Sequence, residues 1–281
     1  MTDSISTSVD LAGEDVHWTP KDGLSYGSYL KLDDILKAQT PITTEHDEMM
    51  FIVIHQASEL WLKLCLHELD AAIDCLQGGE YGPASKMLSR IARIQEQLTQ
   101  SWAILSTLTP ADYLKFRDKL GQSSGFQSHQ YRMLEYRLGN KNAAMARVHG
   151  DSPAADAVRK YLAMPSIYDE ALRQLANAGF DIPADRLDRD WTKPYEPSAA
   201  VEVAWKAVYT DVETHWQLYE IAEKLVDVEH KFQLWRFNHM KTVERIIGYR
   251  RGTGGTGGVS YLVKALDLRF FPELWTVRTS L

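Results

Sequence analysis

Several features that mark common protein classes are scarce or missing in this chain. It has only two cysteines, Cys65 and Cys75, ten residues apart in a helix-like stretch. That spacing suits neither a CxxC redox pair nor a zinc knuckle and excludes a disulfide-stapled fold, so both read as reduced core thiols. The longest wholly apolar run, Met49 to Ile54, is far short of the roughly 20 residues that span a bilayer, and no transmembrane helix is expected. The N-terminal MTDSISTSVDLAGEDV lacks the basic start and apolar centre of a secretory signal, which points to the cytoplasm. Basic charge is also in deficit. Thirty-one Lys and Arg against 38 Asp and Glu leave a net charge of -7, the wrong sign for a partner that is nucleic acid or an anionic membrane.

What is present is ample material for a core: 281 residues, 44% hydrophobic and 25% charged, with eight tryptophans. Residues 1–20 show no periodicity and read as a flexible arm, leaving 21–281 as one domain. Tyr26 and Tyr29 precede a helix-like segment in LSYGSYLKLDDIL. From His46 to Gln77, Phe51, Ile54, Ser58, Leu62, Leu66, Leu69, Ile73 and Leu76 recur at three- and four-residue steps, an amphipathic helix ended by Gly78-Gly79. A second helix is expected from Pro83 to Leu105. Thr109-Pro110 supplies an N-cap and a first-turn proline for a third, running through Leu120 until GQSSG interrupts. Further helices are expected over 126–138, 153–162, 165–178, 198–225 and 226–248. The stretch 179–197, with its prolines and aspartates, reads as a loop. Val228, Phe232, Trp235, His239, Thr242 and Ile246 form one stripe of the last helix, which RRGTGGTGG closes. No segment alternates as paired strands do, so the fold class is all-α, a multi-helix bundle.

The histidines suggest a metal, yet the usual helical arrangements are missing. Only Glu14 and His17, in the arm, form a Glu-x-x-His pair, and no two of the nine histidines stand four apart. A metal that brings most of its own ligands, as haem does, needs only one axial histidine and an apolar pocket. His239 meets that description, as would a core histidine bonded to a neighbour; without CxxCH, any haem would be held non-covalently. His55, in FIVIHQ, is either merely buried or a neutral acceptor for a ligand N–H. Tyr113 and Arg117 share a helix face with Phe116 and Leu120 beside them, and Arg117 either grips a carboxylate or pairs with a surface acid. Gly252, Gly254 and Gly257 satisfy GxGxxG, but the run follows a helix rather than a strand. A mobile loop whose Thr253 closes over a small ligand fits the context better than nucleotide binding.

The segments YGSYLKLDDIL, HDEMMFIVIHQASELWLKL, LTPADYLKFRD, GQSSGFQSHQYRMLEYRLGNKN, LVDVEHKFQLWRFNHMKTVERIIGYRRGTGGTGGVSYL and FFPELWTVRTSL together resemble the tryptophan 2,3-dioxygenase family, from about residue 24 to 281. The resemblance implies an all-helical homotetramer, a dimer of dimers in which the N-terminal segment of one chain completes its neighbour's pocket. It implies one haem b per subunit with His239 as the iron ligand, and L-tryptophan and O2 as substrates. Both oxygen atoms would be inserted across the indole C2–C3 bond to give N-formyl-L-kynurenine, the first step of tryptophan degradation through kynurenine. By position, His55 would accept the indole N–H. Arg117, with Tyr113 and Thr253, would hold the carboxylate, Thr253 also meeting the ammonium. Phe51 and Leu120 would wall the indole, Ser124 and Gly252 would lie in the pocket, and Tyr26 and Tyr29 would come from the adjacent subunit. His129, in FQSHQYR, is more polar than the family's look suggests, and faces either solvent or the cavity. Two other readings remain: a relative that oxygenates a modified tryptophan, stopping at one oxygen atom to give an oxindole, and a sensor that binds haem and tryptophan without turnover.

Overall fold

Capping chemistry sets many of the helix ends. The computed structural model describes residues 8, 9, 11–16 and 23–281, and these hold helices and no strand. His17 and the expected arm boundary at residues 20–21 lie outside the described residues. Residues 1–40 and 41–281 are separate compact units. In the first, α1 (Tyr26–Leu30) opens with a capping box made by Ser25 and Ser28. Lys31, in a left-handed conformation at φ 54°, turns the chain into α2 (Leu32–Ile35). Tyr26 and Tyr29 are exposed.

The second unit begins with α3 (His46–Gln77) and α4 (Tyr81–Leu105), joined by a tight turn through Gly78-Gly79. Thr109 accepts from the Asp112 N–H and Pro110 takes the first turn of α5 (Pro110–Arg117). The expected continuation to Leu120 is a 3-10 turn over Asp118–Leu120. Another 3-10 turn, Gly125–Gln127, precedes α6 (His129–Leu138), whose start is moved from 126 to 129 because the Ser128 hydroxyl caps it. Then come α7 (Pro153–Leu162), α8 (Ile167–Asn177), capped by Ser166 and Asp169, and a single turn, α9 (Ala184–Leu187), inside the expected loop.

The helices expected at 198–225 and 226–248 are divided elsewhere: α10 (Ala199–Thr210) is followed by α11 (Trp216–Ile247). The break falls at 211–215, where the Asp211 carboxylate accepts from the Thr214 N–H at 3.3 Å and diverts the backbone. Nothing at 225–226 can stop a helix, so α11 runs straight through and carries the stripe to His239 without a joint. Two helices in stretches with no sequence assignment complete the unit, α12 (Val259–Leu266) and α13 (Pro272–Ser280).

α4 packs between α3 and α11, and these three long rods frame the unit. Leu69, Ile73, Leu88, Ile91, Leu225 and Val228 lie at their junction with 0–1% exposure, each contributing roughly 1.5–3 kcal/mol by burial. The stripe read along α3 is this core face. Among the described residues α3 is also the one helix long and apolar enough to cross a membrane by length and composition. Its buried leucines face α4 and α6, and Glu48, Glu59, Lys63 and Glu68 punctuate it, as befits the core helix of a bundle. A smaller cluster, separate from the main core, gathers Ile54, Leu105, Leu108, Tyr113, Phe116 and Ile246 where α3, α4, α5 and α11 converge.

The chain end is held by a buried acid. Glu229 on α11, fully buried, accepts from the Phe270 N–H (2.8 Å), the Phe271 N–H (3.1 Å) and Trp275 Nε1 (2.8 Å). Glu229→Ala strands three donors and is expected to lower the unfolding free energy by about 3 kcal/mol, with Glu229→Gln milder because an acceptor oxygen remains. Urea unfolding checks both.

Candidate active site

One turn of α3 separates Phe51 from His55, so their rings meet, with centroids 4.2 Å apart. His55 Nδ1 lies 2.7 Å from the Phe51 carbonyl oxygen. A carbonyl can only accept, so Nδ1 carries the hydrogen and Nε2 keeps a bare lone pair. Burial lowers the His55 pKa, although the Phe51 bond and Glu59 favour the charged form, and the ring is therefore a neutral acceptor at physiological pH.

α5 brings an aromatic wall and a cation to the same place. Tyr113 lies 6.0 Å from Phe51, and Phe116, fully buried, lies 5.7 Å from it. One turn on, Arg117 sits against the Tyr113 hydroxyl; burial still raises the Tyr113 pKa, so the phenol keeps its proton. Of the two readings open to Arg117, pairing with a surface acid has a weak counterpart here: among the described residues its one carboxylate neighbour is the exposed Asp118, 3.8 Å away. Nη2 donates instead to the Arg251 carbonyl at 2.9 Å, while Nε is buried with no partner. Leu120 is half-buried against the same cluster.

The glycine-rich loop lies on the 121–127 segment. Thr253 Oγ1 donates to the Ser123 carbonyl at 2.5 Å. A Cβ on Gly254 would fall 2.8 Å from Ser124 Cβ, and one on Gly252 3.0 Å from Thr256 Oγ1. Gly258, at φ +61°, would bring a Cβ to 2.4 Å from the Arg250 carbonyl oxygen, so no other residue fits there. The glycines thus serve close backbone approach, in a run between α11 and α12 with no strand before it.

His239 projects from α11 toward α4, where Trp102 stacks on it with centroids 4.6 Å apart and planes 7° apart; Trp235 lies 5.4 Å away. Burial, reinforced by the nearby His55, pushes its pKa down to about 4, leaving a neutral imidazole able to bind a metal. Among the described residues no three His, Cys, Asp or Glu side chains group as a metal set. His129 is exposed at the start of α6, its charge felt by His149. Phe51, His55, Tyr113, Arg117, Leu120 and His239 therefore lie around one cluster, with Ser124, Gly252 and Thr253 in the loops beside Arg117; Tyr26 and Tyr29 belong to the other compact unit. Sequence reasoning missed Trp102 as the ring on His239, since it follows Met87, Ile91, Ile94 and Leu98 at helical spacing along α4, as any core residue would. It also missed the two carbonyls, of Ser123 and Arg251, which no side-chain pattern reveals.

The sequence model of the family described as tryptophan 2,3-dioxygenase matches residues 10–152 and 151–281. The chain belongs to the tryptophan 2,3-dioxygenase family. A tryptophan 2,3-dioxygenase of Bacillus thuringiensis (strain Al Hakam) is 55% identical over 267 residues, 95% of this chain and 96% of that protein. Tryptophan 2,3-dioxygenase 1 of Ralstonia nicotianae (strain ATCC BAA-1114 / GMI1000) is 56% identical over 259 residues, covering 92% and 88%. That of Geobacillus thermodenitrificans (strain NG80-2) is 52% identical over 267 residues, covering 95% of each.

The family is haem-dependent, and the donor chemistry suits a haem. His239 is a half-buried neutral imidazole among aromatic rings, and Trp102 Nε1, itself buried, has no partner and is free to donate to an acceptor. Gly254→Ala is expected to lift the loop from Ser124, raising trypsin cleavage after Arg250 and Arg251 several-fold without loss of helicity. Adding Ser124→Gly, which removes the opposing Cβ, should restore protection.

Proposed function

We propose that this chain is a haem-dependent dioxygenase that inserts both atoms of O2 across the indole C2–C3 bond of L-tryptophan, giving N-formyl-L-kynurenine. The observation that carries the site assignment is the buried, unpartnered Arg117 Nε on the helix that brings Tyr113 and Phe116 against Phe51, with His55, its Nδ1 engaged by the Phe51 carbonyl, packed on the same ring. Tryptophan has the complementary features: an apolar ring with one N–H donor at one end and a carboxylate at the other.

In this reading the indole lies against Phe51 and Leu120, and His55 Nε2 accepts its N–H. His55 orients the ring and holds the hydrogen in place; it need not remove it, because an indole N–H is too weak an acid for imidazole to deprotonate readily. The carboxylate takes Arg117 Nε and displaces the Arg251 carbonyl from Nη2, forming the two parallel bonds a guanidinium fork favours. Tyr113 flanks the carboxylate as a neutral donor, and Thr253, released from Ser123, reaches carboxylate and ammonium. Ser124 and Gly252 set the loop's distance from the ligand. His239 holds the iron of one haem b per subunit, with Trp102 and Trp235 fixing the imidazole plane. When bound, the haem supplies the redox chemistry that lets O2 react with the electron-rich indole. One oxygen atom ends on each carbon of the cleaved bond, so no external reductant is consumed.

The chain is read as a cytoplasmic homotetramer, a dimer of dimers, with residues 1–20 an arm and 21–281 the catalytic domain. Met49, Val53 and Leu60 are exposed along one face of α3, an apolar strip that self-association would cover. Tyr26 and Tyr29, exposed on a short helix near the N-terminus, are suited to completing a neighbour's pocket.

The deciding experiment is an anaerobic absorbance spectrum of the reduced, haem-reconstituted protein, followed by L-tryptophan, then air, with the product weighed by mass spectrometry. A product heavier by two oxygen atoms supports the dioxygenase; one atom means an oxindole-forming relative, and bound haem without turnover a sensor. Arg117→Ala is expected to weaken tryptophan binding by roughly a hundredfold, whereas His55→Ala loses roughly tenfold and keeps measurable turnover. Because the His55 pKa lies below its ordinary 6.5, tryptophan affinity should be level above that pH and fall only at lower pH, as protonation removes the Nε2 lone pair. In His55→Ala titration calorimetry should show no such fall.

A further inference from the structure

Arg132 and Glu135 on α6 and Arg236 on α11 lie in the interior, with 4%, 3% and 3% exposure. Two guanidiniums share one carboxylate: Arg132 Nη1 bonds Glu135 Oε2, and Arg236 Nη2 donates to Glu135 Oε1 at 2.9 Å. The group holds one positive charge in excess, and the Nε atoms of both arginines are buried without partners. As a mere link between α6 and α11 it is a poor device, because apolar side chains of similar volume would join the helices without desolvating three ions.

What distinguishes Arg132 is its place between two sets of rings. Its guanidinium lies 5.9 Å from the centre of Phe126 and 5.7 Å from that of Tyr131, and it faces the Tyr261 hydroxyl. On one side Phe126 meets Tyr261 edge-on at 5.8 Å. These two rings seat the glycine-rich loop, for Tyr261 follows it directly in α12, and Phe126 Cβ lies 3.8 Å from where a side chain on Gly254 would begin. On the other side Tyr131 lies 5.3 Å from Trp235, which in turn lies 5.4 Å from His239. Arg236, three residues before His239 on the same helix, bonds both Glu135 and the Tyr131 hydroxyl and so fixes that end of the series.

We propose that Arg132 is a positioning residue that joins the seat of the glycine-rich loop to the wall behind His239, so that a ligand on Arg117 and Thr253 and a haem on His239 strengthen each other's binding. The proposal rests on the haem-dependent reading above. By linkage, whatever factor tryptophan adds to haem retention, haem adds to tryptophan affinity. Removing Arg132 leaves both sites in place and uncouples them.

The test follows haem release from the holoenzyme to excess apomyoglobin, with and without saturating L-tryptophan. In the unaltered protein tryptophan is expected to slow release by roughly tenfold. In Arg132→Met that slowing should shrink to less than about twofold, and in Arg132→Lys, which keeps the charge but not the planar fork, it should be intermediate. A purely structural role would speed release equally in both conditions and leave the ratio unchanged. An undiminished ratio in Arg132→Met, or no tryptophan effect in the unaltered protein, overturns the proposal. Should Arg132→Met fail to fold by circular dichroism, Arg132→Lys decides: a ratio smaller than in the unaltered protein supports the proposal and an undiminished one overturns it. Failure of the unaltered protein to take up haem would instead overturn the functional reading itself.

Discussion

Partial burial of two imidazoles between long helices is the constraint on which the rest of this structure depends. His55 and His239 project from α3 and α11 into the region closed by α4 and α5, and loss of hydration holds both uncharged. A neutral ring is what each proposed task needs, since in the proposed function one accepts a hydrogen bond and the other offers a lone pair to a metal. Charging both would also bring two cations close together in apolar surroundings. The three-rod frame supplies the burial, and the small cluster of Ile54, Leu105, Leu108, Tyr113, Phe116 and Ile246 seals it.

Against this apolar ground the polar groups are few, and the backbone answers several of them. The Phe51 carbonyl settles the tautomer of His55, the Arg251 carbonyl takes one arm of Arg117, and the Ser123 carbonyl takes the Thr253 hydroxyl. The last two contacts are donations to a carbonyl oxygen, as an amino-acid carboxylate would accept them, so in the proposed function ligand binding exchanges one hydrogen bond for a better one instead of creating it from water. Such exchange keeps the loop ordered enough to recognise a ligand. Its glycines let the loop lie close to Ser124, where any side chain would hold it off.

The buried ions elsewhere share a logic of attachment. Glu229 gathers the start of α13, and Glu273 accepts from Tyr168, Tyr195 and the Ser198 N–H. Each carboxylate replaces several scattered donors' water with one fixed acceptor, pinning segments whose own sequence has little helical drive. Arg132, Glu135 and Arg236 differ in carrying unmatched positive charge next to aromatic rings, between the glycine-rich loop and the stretch of α11 that carries His239.

Periodicity determined the helical class, the course of α3 and α7, and the apolar stripes of α3 and α11, because a helix repeats every 3.6 residues and writes its buried face directly into the chain. Local chemistry likewise marked the Thr109-Pro110 start of α5 and the Gly78-Gly79 stop of α3. It misplaced the α10–α11 break, which depends on how Asp211 bonds its own backbone, and it passed over α12 and α13. Family resemblance named His55, Arg117 and His239 where the residues themselves allowed bland readings as well. Only the tertiary structure decided that Trp102 lies flat on His239, that His55 presents Nε2, and that Arg117 meets a carbonyl of the distant glycine loop. Those facts arise between residues as far apart as 117 and 251, and contacts at such separations leave no period in a sequence.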